Sequence, residues 1–147
     1  MPSLFAAGSS RKMETRFATV HYADDAEIED FLWRISGKRL GGEEAAELTR
    51  NRVDEIVERV ESVLDMHPLA LHFGIFLETE SRGEGAIAYY SHESRSITAL
   101  SNRITDGVLA HEIAHAVLNS YFGIIPPEKA QEILAQYVDQ HLWSEVA

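Results

Sequence analysis

The chain has 147 residues, 45% hydrophobic and 25% charged, a globular balance that excludes disordered and fibrous classes and suits one domain. A formal charge of −11 with no Lys/Arg-rich stretch argues against a nucleic-acid partner. The absence of cysteine excludes disulfides, thiolate metal sites and a cysteine nucleophile together.

No apolar run reaches the roughly 18–20 residues of a membrane span, and the opening residues lack a secretory apolar core, so a soluble chain of open compartment is expected. Residues 1–14 read as a flexible leader ahead of a single domain over 15–147. The stretch 16–22 is rich in β-formers and predicts a strand. Asp24 or Asp25 caps the next helix, in which Ile28, Phe31, Leu32 and Ile35 form one stripe before Gly37. A second helix is expected over 43–66, burying Val53, Ile56, Val57, Val60, Val63 and Leu64. Residues 69–78 predict a strand and 81–85 a turn; 86–90 and 95–100 then read as a hairpin. Two helices close the chain, over 106–122 and 127–143, separated by Gly123 and Pro126-Pro127. Trp33 and Trp143 are expected to pack in helices, and His21, His67, His72 and His92 to be structural or surface residues. The fold class is α+β, a small mixed or antiparallel sheet with helices on one side.

The first closing helix contains His111-Glu112-Ile113-Ala114-His115, an H-E-x-x-H pattern. Side chains at i and i+4 stack on one helix face about 5–6 Å apart, where two imidazoles can share one zinc ion. Glu112 lies about 100° further round, placed to act as general base toward a metal-activated water. The alternative is a pair of buried core histidines. Val108, Leu109, Ala110, Ile113, Ala114, Ala116, Val117 and Leu118 surround these polar groups, so burying them unpartnered would cost several kcal/mol. A metal satisfies them.

A catalytic zinc site takes a third protein ligand. Leu118 and Tyr121 occupy the positions where one known continuation needs Gly and His. Counting about 1.5 Å per residue up to Phe122 and back down from Pro127 returns Glu132 to the level of the imidazoles. Glu128 stops short by about 6 Å and Asp139 overshoots by about 10 Å on the same rise, and His141 is out of phase. Glu132 is the expected ligand.

Glu132-Ile133-Leu134-Ala135-Gln136-Tyr137, after H-E-x-x-H and Pro126-Pro127, resembles the glutamate helix of gluzincin metallopeptidases of the peptidase MA kind. The chain is similar to their smallest members, the minigluzincins. The resemblance implies a zincin-like upper lobe with an active-site helix followed by a glutamate helix. It also implies one zinc ion on His111, His115 and Glu132, with Glu112 as general base and then acid. Ala86, Ile87 and Ala88 would belong to the sheet edge that pairs with an extended peptide or protein substrate.

The pattern departs from larger thermolysin-like relatives in three places. Gln136 stands where they carry an acidic residue that orients a histidine, and Asp139 is the expected substitute. Ile133 replaces a glycine. Too little chain follows Glu132 to supply the usual oxyanion-stabilising Tyr or His. Tyr137 is the nearest catalytic candidate, against an ordinary core tyrosine, and Tyr89 and Tyr90 are others. The expected activity is zinc-dependent peptide hydrolysis. The alternatives are a catalytically inactive zinc-containing peptide-binding module, or a precursor whose leader or tail covers the cleft.

Overall fold

The computed structural model describes residues 11–79 and 85–144. It begins with β1 (Arg11–Glu14) and β2 (Ala18–Tyr22), continues through α1 (Asp25–Ser36) and α2 (Gly42–Leu64), and adds β3 (Phe73–Glu78), β4 (Ala88–Ser91) and β5 (Ser96–Leu100). Helices α3 (Asp106–Tyr121) and α4 (Glu128–His141) complete it. The sheet order is β1-β2-β3-β5-β4. The two inner pairings, β2 with β3 and β3 with β5, are parallel; the two outer ones are antiparallel. The class is therefore α+β with a mixed sheet.

Alternation along the strands decides which sheet face carries the helices. Ala18, Val20 and Tyr22 on β2 and Phe73, Ile75 and Leu77 on β3 turn into one core with residues of all four helices. On the opposite, half-exposed face the His21 ring lies flat on Phe76, with centroids 4.1 Å apart. Burial lowers the His21 pKa, helped by Lys12 and opposed by Glu14.

The helices start and stop on local signals. The Asp24 carboxylate accepts the Glu27 N–H at 3.0 Å, and Gly37, at φ +75°, closes α1 by donating to Trp33 O. The expected stripe Ile28, Phe31, Leu32 and Ile35 is buried. Helix α2 buries Val53, Ile56, Val57 and Val60, but Val63 and Leu64 only partly, and stops at Asp65 in the left-handed conformation, short of His67-Pro68. Thr105 caps α3 by accepting the Val108 N–H at 3.1 Å.

Two expectations need correction. Arg11–Glu14, assigned to the leader, form β1: only Met13 is buried, so no apolar alternation announces the strand, and pairing with β2 makes it. Residues 1–10 lie outside the described residues, as does most of the expected turn over 81–85. The second correction concerns the tryptophans, which are 41% and 43% exposed, with Arg39 over Trp33 at 5.0 Å and Arg52 over Trp143 at 4.5 Å. Trp143 lies beyond α4, and its Nε1–H donates to Asp106 at 2.8 Å. Arg59 donates to the carbonyls of Leu142 and Ser144, tying the end of α4 to α2. No helix among the described residues is long and apolar enough to cross a membrane.

Candidate metal centre

His111 and His115 stand one turn apart on α3, their ring centroids 5.4 Å apart. Helix α4 runs back along α3 and delivers Glu132 between them. Its Oε1 lies 2.9 Å from His111 Nε2 and its Oε2 3.4 Å from His115 Nε2. One ligand atom from each of the three residues falls within 4.8 Å of the others. Ligands held tetrahedrally at about 2.1 Å from zinc stand roughly 3.4 Å apart, so the spacing fits such an ion, as does the mixed nitrogen and oxygen donor set. The imidazoles are 19% and 12% exposed and the carboxylate 46%, so the cluster opens to solvent on the α4 side.

Glu112 lies beside this cluster under the edge of the sheet. Burial raises its carboxyl pKa above the ordinary range; His111 and His115 pull it down, Glu132 pushes it up, and a hydrogen bond from the Tyr90 backbone N–H favours the anion. That N–H is available because of strand register. Leu100 N–H donates to Ile87 O at 2.9 Å, so the Ile87–Leu100 and Tyr89–Thr98 pairs carry the ladder bonds. Ala88 and Tyr90 then turn their backbone groups to the free edge of β4, the outermost strand. Of the three residues expected to form a substrate edge, Ala88 alone lies within β4. Ala86 and Ile87 precede the strand, and Ile87 O is spent on β5.

The tyrosines also separate. The Tyr90 ring lies nearly parallel to His115, centroids 6.3 Å apart, and its hydroxyl is 3.3 Å from His92 Nδ1. Desolvation raises the Tyr90 pKa, with Arg95 acting the other way. Tyr89 is exposed. Tyr137 is not a core residue and turns away from the His111–His115–Glu132 cluster: it is 48% exposed and stacks on His141 at 4.1 Å, because its position lies about 140° round α4 from Glu132.

The residues expected to steady the imidazoles do not reach them. Asp139 is exposed and lies against Gly107, where a Cβ would stand 2.3 Å from its Oδ1, a full turn of α3 before His111. Gln136 is exposed on α4. Among the described residues neither hydrogen-bonds a histidine. Gln131, which the sequence reading passed over, does so: its Oε1 is 2.9 Å from His115 Nδ1. The signal was present, since Gln131 is in phase with Ala135, Val138 and Leu142, a polar residue on the apolar stripe.

Comparison of the chain with protein-family models, curated proteins and solved structures gives no match.

Proposed function

We propose that this protein is a zinc-dependent metallopeptidase of gluzincin type, built on a zincin-like upper lobe. The reading rests above all on one observation: Glu132, from a separate helix, converges with both histidines of H-E-x-x-H. His111, His115 and Glu132 would hold one zinc ion. When bound, zinc supplies a Lewis acid for the scissile carbonyl and acidifies water near it.

The chain's own residues account for the remainder. Glu112 takes the proton of the attacking water at its carboxylate, holds it, and returns it to the leaving amine. Burial serves this role by moving its pKa toward working pH, while the Tyr90 N–H keeps the carboxylate oriented. An extended peptide pairs with the free backbone groups of Ala88 and the Tyr90 carbonyl on the β4 edge, which supplies binding without a deep pocket.

The test is Glu112→Gln assayed on a mixed peptide library. Hydrolysis should vanish while zinc content and melting temperature stay at wild-type values; undiminished cleavage by this variant would overturn the mechanism. A second reading draws support from Tyr137, stacked on His141 away from the ligands. On that reading the zinc-loaded protein binds extended peptides without cleaving them. Peptide binding with no turnover by wild-type protein selects it.

A further inference from the structure

We propose that Gln131 is a positioning residue that decides which nitrogen of His115 faces the site, through a pair of interlocked amides tied to the α3–α4 connection. The inference rests on the metal reading above only in its affinity arm.

The argument starts from an acceptor with no choice. The Pro126 carbonyl can only accept, and a Gln131 side-chain atom lies 2.9 Å from it, so that atom is the nitrogen Nε2. Gln131 is 6% exposed and its amide cannot turn over without leaving the carbonyl unpaired. Its oxygen therefore faces His115 Nδ1 at 2.9 Å. Asn119 repeats the logic from the other side. Its Nδ2 donates to the His115 backbone carbonyl at 2.8 Å, which leaves Oδ1 to accept from Gln131 Nε2 at 3.2 Å. The same Nδ2 reaches Gln131 Oε1 at 3.1 Å. Each amide fixes the orientation of the other.

An oxygen opposite Nδ1 demands a proton there, so neutral His115 is held as the Nδ1–H tautomer with the Nε2 lone pair directed toward Glu132. His111 is treated differently: among the described residues its ring has a hydrogen-bond partner only in Glu132. His115 is thus the arm of the site set before any ion arrives, and the element that sets it is the turn ending at Pro126.

The experiment uses full-length protein. Nitrogen NMR of the metal-free form, at a pH where the imidazoles are neutral, should show His115 as Nδ1–H. Gln131→Leu should give a tautomer mixture and roughly 10- to 100-fold weaker zinc binding. Gln131→Glu keeps the oxygen toward His115 but loses the bonds to the Pro126 carbonyl and Asn119, so it should cost stability, yet retain the Nδ1–H form and bind zinc more tightly than Gln131→Leu. A packing role alone would alter stability in both variants and leave the tautomer unmoved. An Nε2–H tautomer in wild type, or wild-type tautomer and affinity in Gln131→Leu, would overturn the proposal. Failure of wild type to bind zinc would remove the metallopeptidase reading, and the tautomer measurement would still decide this one.

Discussion

Glu132 is the one member of the proposed donor set that arrives from outside α3, so Glu132→Ala removes a third of that set while leaving both histidines on their helix. Structural zinc sites with four ligands are worth about 10–16 kcal/mol, or roughly 2.5–4 kcal/mol per ligand if shared evenly. At about 1.4 kcal/mol per tenfold, the variant loses about two to three orders of magnitude in zinc affinity. The carboxylate is 46% exposed and lies outside the apolar core, so its loss should barely move the metal-free melting temperature. Thermal denaturation with and without zinc reads the difference. Zinc at a thousandfold excess over Kd adds about 4 kcal/mol to wild type. At roughly 2–4 °C per kcal/mol for a chain of this size, melting rises by about 8–16 °C. At the same zinc concentration the variant sits near about 1–10 times its own Kd, gains under about 1.5 kcal/mol, and rises by about 1–6 °C. An undiminished zinc-induced shift in the variant would refute the assignment of Glu132, whatever the activity.

Two further measurements bear on the framework. Glu27 is buried and its pKa is raised, chiefly by desolvation, against the pull of the Ala23 N–H. Its ionisation therefore opposes folding, a penalty absent below the ordinary carboxylate range that grows as pH rises through it and levels off above the folded pKa. Glu27→Gln keeps an oxygen for Ala23, so it should melt higher than wild type at neutral pH, with the gap closing below about pH 4; a pH-independent gap would refute this. Asp139→Ala should leave zinc affinity unchanged, since Asp139 contacts Gly107 and not an imidazole. In that background Gly107→Ala should become stabilising by up to about 1 kcal/mol, measured by urea denaturation as a non-additive pair.

The parts of the site that depend on local helix geometry were legible in the sequence. The i, i+4 spacing of His111 and His115 and the return of Glu132 to their level follow from a rise per residue that no tertiary contact alters. What sequence counting of that kind misses is rotation about the α4 axis. Level alone does not say whether residue 131 or 139 turns toward an imidazole. The buried set Gln131, Ala135 and Val138 settles it: a polar residue in phase with an apolar stripe carries that information. The missed strand β1 has another cause. With one apolar residue in four, it owes its existence to the β2 backbone, a long-range fact with no local pattern. Sheet direction was open for the same reason, and the position of β4 outside β5 depends on pairing that alternation cannot express.

Glu132 owes its place to restraints at both ends of the α3–α4 hairpin. At one end Arg59 holds the Leu142 and Ser144 carbonyls, Trp143 donates to Asp106, and Asp139 sits where only the missing Cβ of Gly107 leaves room. At the other, Gln131 binds the Pro126 carbonyl and His115 together. A helix pinned at both ends can neither slide nor turn without breaking one set of contacts, and a slide of one residue would move Glu132 by about 1.5 Å and rotate it by about 100°. Either motion would take the carboxylate from between the imidazoles. The same restraints hold Glu132 Oε1 2.9 Å from His111 Nε2 and Oε2 3.4 Å from His115 Nε2, the convergence on which the proposed metal site depends.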